Sequence, residues 1–152
     1  MGVTIHGLLE RNARKYSKKE AFITANTRLT YEEMNNTANQ LARNLLQNGV
    51  KRGDRIAIMS RNNEHFFYAF FSLMKIGAIP MPLNIRLTAS ELHAILTNCK
   101  AIGVMYESEL QETVSSIPLS SQLDHLLPIQ ELMNTAASFE KTNLNTPIDS
   151  RD

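Results

Sequence analysis

The stretch KIGAIPMPLNIRLTASEL, residues 75–92, decides the fold class of this chain. Gly77 tolerates positive φ and so can end a helix, and a short strand that contains two prolines follows at residues 79–83. Thr88 and Glu91 then form a capping box, in which a hydroxyl accepts from a backbone N–H and a carboxylate reaches back. The stretch therefore predicts a helix, a strand, a loop and a second helix.

The same alternation extends to both sides of this stretch. Helices are expected over residues 4–16, 30–48, 62–77, 88–98 and 107–116, and strands over residues 20–24, 28–31, 55–60, 79–83 and 102–106. Asn26-Thr27 would be the turn of an N-terminal hairpin, and residues 123–129 indicate one more strand and a loop. Strands separated by helices imply an α/β fold: a mostly parallel sheet with right-handed crossover helices, plus the N-terminal β-hairpin.

Composition bounds the class of protein. A chain of 152 residues with 43% hydrophobic and 20% charged residues suits one soluble domain, expected over residues 1–134, with a polar tail or linker at 135–152. A net charge of +1 gives no general attraction to nucleic acid or anionic membranes. No apolar run spans a bilayer and no signal peptide is visible, so a cytoplasmic location is expected. Cys99 is the only cysteine, which excludes an internal disulfide.

Motifs for self-contained chemistry are absent from the sequence. There is no G-x-G-x-x-G or G-x-x-x-x-G-K-[ST] phosphate loop, and no histidines pair at metal-ligand spacing. No catalytic residue and no metal ligand is therefore predicted. Asp54 could be an acid or a ligand, but Gly53-Asp54-Arg55 is more typical of a tight turn in which Asp54 binds the backbone.

Arg86 is the one candidate binding residue. It lies between a strand and a capped helix, at the carboxyl end of a strand, where parallel α/β sheets bind ligands. A guanidinium beside a helix N-terminus suits a phosphate, because both supply N–H donors. The alternative is that Arg86 pairs with a local carboxylate and only holds the loop.

The helix around residues 66–74 is rich in phenylalanine and methionine. Its apolar positions surround the helix, so it should be covered on more than one side. Such a stretch could line an acyl pocket, but it is more often part of the core.

Several segments together resemble one family. LTYEE (residues 29–33) opens a helix that contains ANQLA (38–42); GVKRGDRIAI (49–58), NNE (62–64) and residues 75–92 follow. In this order and at these distances they resemble the N-terminal region of acyl-CoA synthetases and their adenylate-forming relatives: luciferases, aryl-CoA ligases and peptide-synthetase adenylation domains. The resemblance covers about residues 4–106.

The resemblance implies a partial N-terminal subdomain of an ATP-dependent acid–thiol ligase. Such enzymes join a carboxylic acid, here expected to be a fatty acid, to ATP with Mg²⁺, and then transfer the acyl group to coenzyme A. Their Ser/Thr/Gly-rich phosphate loop and their C-terminal lysine have no counterpart in these 152 residues. The fragment itself is therefore expected to be inactive and to bind ATP, Mg²⁺ and CoA weakly at most.

One cofactor-binding residue follows from the resemblance. In some CoA ligases the arginine of the Asn-x-Arg segment lies near a phosphate of CoA, and Arg86 occupies that position here. The family often has proline between the two residues, whereas this chain has Ile85, which makes the loop less rigid.

A second hypothesis comes from a different class. The chain could be a stand-alone, non-catalytic α/β interaction module, and such a module could be a dimer. If the fragment folds alone, it is expected to self-associate through the apolar helix at residues 66–74 or the neighbouring sheet edge.

Overall fold

The computed structural model describes residues 5–15, 20–23, 28–61, 64–117 and 123–144. Its helices are α1 (Ile5–Lys15), α2 (Tyr31–Gln47), α3 (Glu64–Lys75), α4 (Ala89–Asn98), α5 (Gln111–Ser115) and α6 (Ile129–Ala136). Its strands are β1 (Glu20–Ile23), β2 (Arg28–Thr30), β3 (Arg55–Met59), β4 (Ile79–Pro82), β5 (Gly103–Tyr106) and β6 (His125–Pro128). A short 3₁₀ helix (Ser108–Leu110) leads into α5.

Strands β3 to β6 form one parallel sheet in the order β4-β3-β5-β6. In its register Ala57 of β3 lies between Met81 of β4 and Val104 of β5. Strands β1 and β2 form a separate antiparallel hairpin. The prediction of a mostly parallel sheet with an N-terminal hairpin is confirmed.

The two faces of the parallel sheet carry separate cores, because successive side chains of a strand point to opposite faces. Ile56, Ile58 and Met105 pack against α1, α2, α3 and α6, which together we call the thick layer. Ala57 and Val104 point to the other face, where α4 and α5 form what we call the thin layer.

Helix ends follow the predicted signals closely. Thr88 and Glu91 make both bonds of the capping box at α4. At α2 the Thr30 hydroxyl accepts from the Glu33 N–H at 3.1 Å, but the Glu33 carboxylate accepts from that hydroxyl instead of from the Thr30 backbone. Gly49, at φ +93°, follows the C-cap residue of α2, as predicted.

Some predicted boundaries were wrong. Tyr31, assigned to the return strand, begins α2 because Thr30 already caps that helix. Residues 107–116 form a 3₁₀ helix and then α5 in place of one helix. Ile129, assigned to a strand and loop, begins α6; this helix of 8 residues has no side-chain cap at Pro128, so no start signal marks it. The first residues of the helices predicted from residue 4 and from residue 62, and the predicted turn at 26–27, lie outside the described residues.

Helix α3 is a core helix with an aromatic edge. It packs against α1, α2, α6, β3 and β4, and its Tyr68 and Leu73 are buried. Four half-buried rings stack or meet edge to face along it: Phe66, Phe67, Phe70 and Phe71. Burial raises the pKa of Tyr68 to about 12, although a hydrogen bond with Thr37 opposes the shift.

The region predicted as a polar tail or linker is described in part. Thr135 and Ala136 complete α6, and residues 137–144, which we call the strap, run along α2. The boundary between a domain and a linker at residue 135 stays a prediction.

Candidate functional site

The loop that contains Arg86 leaves the carboxyl end of β4 and enters α4. The Leu83 N–H donates to Ile58 O at 2.9 Å, so the chain follows the sheet up to this point. Asn84 Oδ1 then accepts from the Arg86 backbone N–H at 2.9 Å. This Asx turn fixes the loop locally, without a proline at position 85.

The Arg86 side chain is exposed, and its surroundings favour an anion. Among the described residues no carboxylate pairs with its guanidinium, so the alternative of a purely structural ion pair finds no partner in that part of the chain. The capping box occupies the N–H groups of Thr88 and Glu91, at 3.0 and 3.2 Å. The N–H groups of Ala89 and Ser90 also lie in the first turn and have no acceptor within the helix.

A cleft of about 290 Å³ opens beside this loop. Its walls are the start of α4 and the helix α5, and the lining residues are Leu87, Thr88, Ala89, Glu112, Thr113 and Ser116. Glu112 places a carboxylate on the α5 wall, which disfavours a phosphate there. The α4 side, where the helix begins two residues after Arg86 and presents its first-turn N–H groups, favours one.

The order of the strands marks a second place of interest. From β3 the chain first moves to β4 on one side and then returns to β5 on the other. The carboxyl ends of β3 and β5 therefore flank the topological switch point, where open α/β sheets bind ligands. Ser60 directly follows β3, and Glu107 directly follows β5.

The polar groups at this switch point bind one another. Glu107 is 4% exposed, and its Oε1 accepts from Ser60 Oγ at 2.5 Å and from the Arg61 N–H at 3.0 Å. A hydrogen bond with Glu107 is the main cause that raises the pKa of Glu109, while Arg61 Nε, 3.1 Å from Glu109 Oε1, opposes the shift. The group fastens the ends of two strands, so we assign it a structural role.

Sequence reasoning predicted Arg86 but missed Ser60 and Glu107. The available signal was a polar residue directly after each of two buried strands. The two places are separate, because Arg86 follows β4, whereas Ser60 follows β3 and Glu107 follows β5.

The interpretation of Asp54 as a turn residue is confirmed. Its Oδ2 accepts from the Lys51 N–H at 2.7 Å, and its own N–H donates to Lys51 O at 3.1 Å. Across the described ranges, no group of three His, Cys, Asp or Glu side chains could hold a metal ion. In the same ranges, no helix has the length and apolar character that crossing a membrane requires.

A larger groove of about 690 Å³ is formed by other elements. It lies between the end of α2, β6, α6 and the strap, and its lining residues are Asn44, Gln47, Asn48, Leu126, Leu127, Pro128, Glu131, Leu132, Thr135, Ser138 and Phe139. None of these residues belongs to the Arg86 loop or to the switch point.

The sequence matches a known family over most of its length. The profile of the AMP-binding enzymes aligns with residues 9–150. Long-chain-fatty-acid–CoA ligase FadD13 of Mycobacterium tuberculosis is 31% identical over 112 residues, which are 72% of this chain. Gramicidin S synthase 1 of Brevibacillus brevis is 28% identical over 149 residues, or 98% of this chain.

The matched regions are small parts of these relatives. The chain spans 22% of the fatty-acid–CoA ligase and 13% of the gramicidin synthase.

Solved structures resemble the fold in the same way. The N-terminal domain of FACL13 from Mycobacterium tuberculosis superimposes with a TM-score of 0.88 at 25% identity, covering 97% of this chain and 39% of that one. A putative long-chain-fatty-acid CoA ligase from Rhodopseudomonas palustris gives a TM-score of 0.81 at 26% identity, covering 96% of this chain and 38% of that one.

Proposed function

Because the chain belongs to the AMP-binding enzyme family, we propose that it is the N-terminal part of an ATP-dependent acyl-CoA ligase. The proposed reaction joins a carboxylic acid to ATP as an acyl-adenylate with release of pyrophosphate, and then transfers the acyl group to the thiol of CoA with release of AMP. The family match over residues 9–150 is the observation that carries this proposal.

A fatty acid is the proposed substrate. The support is the similarity to a fatty-acid–CoA ligase, 31% identical over 72% of this chain, and to N-terminal domains of such ligases. A synthase of the gramicidin type is also similar, at 28% identity, so amino acids are the competing substrate class. A cytoplasmic location belongs to the same proposal.

We propose that Arg86 binds a phosphate of CoA. The supporting geometry is the exposed side chain of Arg86 on a loop whose backbone is fixed by the Asn84 turn, two residues before the N-cap of α4. A guanidinium and free helix N–H groups both favour a phosphate.

The residues 1–152 alone are proposed to be inactive. The sequence has no phosphate loop of the kind that cradles a nucleotide. Calorimetric titration of this chain with MgATP and with an acyl-adenylate analogue should therefore give no dissociation constant below about 1 mM, and a micromolar value would contradict the proposal.

The enzymatic proposal is tested on a longer polypeptide that contains this chain. Fatty acid, ATP and CoA are supplied, and pyrophosphate release and thioester formation are measured separately. We expect both products with fatty acids and only traces with amino acids. If products formed only with amino acids, the fatty-acid assignment would be rejected, but the proposal of an adenylate-forming reaction would stand.

The role of Arg86 is tested in the same assay. Arg86→Ala should raise the KM for CoA about tenfold, since one charge-assisted bond to a phosphate is lost, and should leave pyrophosphate release unchanged. Arg61→Ala is the matched control, because this arginine is also exposed at the carboxyl edge but pairs with Glu109. An unchanged KM for CoA in Arg86→Ala would reject the role.

Self-association of the 152-residue chain is a further part of the proposal, and the supporting feature is the aromatic edge of α3. The free edge of β4 is a poor alternative. The Ile79 N–H donates to Asp54 O, directly before β3, and the Leu83 N–H donates to Ile58 O of β3. Pro80 and Pro82 therefore face outward, and proline has no N–H to pair with another strand. The four rings should therefore form the contact between two copies.

Analytical ultracentrifugation checks this. The chain should dimerise at micromolar concentration, and Phe67→Ser with Phe71→Ser should shift it to monomer. A monomer at all concentrations in the unmodified chain would count against the contact.

A further inference from the structure

A stripe of polar side chains on α2 holds the strap, residues 137–144. Asn35, Asn39, Gln40 and Arg43 recur at helical spacing along one face of α2. Asn39 Nδ2 donates to Lys141 O at 2.7 Å, Gln40 Nε2 to Phe139 O at 3.0 Å, and Arg43 to Glu140 O at 3.0 Å. The stripe supplies donors to the strap's backbone carbonyls, so the docking depends little on the side chains of the strap.

One strap residue is held through its side chain. Asn143 Oδ1 accepts from Asn35 Nδ2 at 2.8 Å and from Asn39 Nδ2 at 3.0 Å. Asn143 itself is exposed, whereas Asn35 and Asn39 are 7% and 0% exposed. The last described turn of the strap therefore depends on how these two buried amides are oriented.

Lys75 touches the first of these amides from inside the thick layer. It is 2% exposed, and its Nζ donates to Asn35 Oδ1 and to Glu10 Oε1, each at 2.9 Å. Burial lowers the pKa of Lys75, while the hydrogen bond with Glu10 opposes the shift. A buried ammonium is costly unless it is paired and hydrogen-bonded, so all of these contacts matter to it.

The ammonium decides which way the Asn35 amide points. A lysine ammonium has donors only, so it can face the oxygen of an amide but not its NH₂ group. With Oδ1 turned to Lys75, Asn35 must present Nδ2 to Asn143 Oδ1. A continuous path of hydrogen bonds thus runs from Glu10 on α1, through Lys75 on α3 and Asn35 on α2, to the strap.

We propose that Lys75 is a positioning residue for the strap: by fixing the Asn35 amide it holds Asn143, and so sets where the chain leaves α2. The proposal does not depend on the acyl-CoA ligase assignment, because it concerns only contacts within the described residues.

Tryptic cleavage after Lys141 measures the docking. The Lys141 carbonyl is bound to Asn39 in the docked strap, and the scissile bond becomes accessible only when the strap leaves α2. When opening is fast, the cleavage rate follows the population of the open form. Cleavage after Lys100, an exposed residue that ends α4, serves as the internal reference for the rest of the fold.

Lys75→Met should raise the cleavage rate after Lys141 about tenfold relative to the rate after Lys100, which corresponds to about 1.4 kcal/mol. Because this variant leaves Glu10 buried in part and without its cation, the double variant Glu10→Gln with Lys75→Met is made as well. Removing both charges is far less destabilising than removing one. The double variant should raise the cleavage rate after Lys141, relative to the rate after Lys100, by the same factor. An unchanged ratio of the two rates in both variants, or equal acceleration at both sites, would overturn the proposal.

Substitutions at Asn143 complete the test. Asn143→Leu should also give about a tenfold increase, and combining it with Lys75→Met should add little, because both act on one path. Asn143→Asp keeps an acceptor for both amides, so its cleavage rate should stay near that of the unmodified chain. A hundredfold increase in the combined variant would mean that Lys75 acts on the strap by another route.

Discussion

The thick and thin layers cover the same sheet in different ways. The thick layer buries long helices together with polar groups, among them Lys75, Asn35, Asn39 and Asn44. The core of the thin layer is apolar, and its cover consists of α4, of 10 residues, and α5, of 5 residues. The Arg86 loop leads directly into the thin layer. The layer that holds the fold together is therefore separate from the layer that carries the candidate binding loop.

Identical substitutions in the two layers test this difference. Leu41 on α2 and Leu96 on α4 are 0% and 1% exposed. Leu41→Ala should lower the free energy of unfolding by about 4 kcal/mol, and Leu96→Ala by about 2–3 kcal/mol. The cavity at Leu41 is enclosed by packed helices, whereas the short helices of the thin layer can relax into theirs.

Urea denaturation measures both values. Leu46→Ala is the control, since Leu46 is 43% exposed and its loss should cost below about 1 kcal/mol. If Leu96→Ala cost as much as Leu41→Ala, the distinction between the layers would fail.

A buried tyrosine on each side extends the comparison to pH. The pKa of Tyr68 in the thick layer is raised from 10.0 to about 12, chiefly by burial, so the folded state keeps its proton longer than the unfolded state. The contribution of this raised pKa to the free energy of unfolding is fully present below pH 10. It falls by about 2 kcal/mol as the pH rises toward 12. Burial also raises the pKa of Tyr106 in the thin layer, opposed by its hydrogen bond with Gln111.

The measurement is the difference in unfolding free energy between the unmodified chain and Tyr68→Phe, from pH 9 to pH 11.5. As the pH rises, the unfolding free energy of the unmodified chain should fall relative to that of Tyr68→Phe. The comparison with Tyr106→Phe should show a smaller change of the same sign. A difference independent of pH would show that the Tyr68 hydroxyl is not held in its neutral form.

Local signals in the sequence predicted most of the fold. Helix caps, apolar spacing and helix-ending glycines act within a few residues, and they located five of the six α-helices within the described ranges. Helix α6 was missed although Ile129, Leu132 and Ala136 follow helical spacing, because the helix has only 8 residues and no side-chain cap marks its start.

The polar contacts were harder to predict than the elements. Lys75 reads as an ordinary charged residue at the end of a helix, yet its partners Glu10 and Asn35 are distant in sequence. Glu107 and Ser60 are likewise brought together only by the pairing of β3 with β5. Arg86 was predictable because its setting, a strand followed by a capped helix, is local.

The cap of α4 offers a smaller test of the thin layer. Thr88→Ala removes the acceptor of the Glu91 N–H and should cost about 1 kcal/mol. Thr88→Ser keeps an acceptor and should cost a few tenths of that amount. Urea denaturation gives the cost, and hydrogen exchange in the first turn of α4 shows where it arises. Equal costs for the two variants would mean that the hydroxyl is not the relevant group.

The helix ends give the smallest and most direct comparison. In the thick layer α2 ends with the bonds Gly49 N–H to Leu46 O and Val50 N–H to Leu45 O, at 3.0 and 3.1 Å. In the thin layer α4 ends with the same pattern, but Lys100 occupies the left-handed position, at φ 56°. A side chain is disfavoured in this conformation, so Lys100→Gly should raise the unfolding free energy by about 0.5–1 kcal/mol.

The reverse change at α2 is the matched control. A Cβ at Gly49 would meet only His125 Cε1, at 3.7 Å, so Gly49→Ala reports the backbone conformation without a steric clash. It should lower the unfolding free energy by about 1 kcal/mol. Gly77 is unsuitable, because a Cβ there would lie 2.9 Å from Arg52 Cγ. If Lys100→Gly lowered the unfolding free energy, the left-handed position at the end of α4 would not be a source of strain. Any smaller contribution of the thin layer to stability would then have to come from its packing alone.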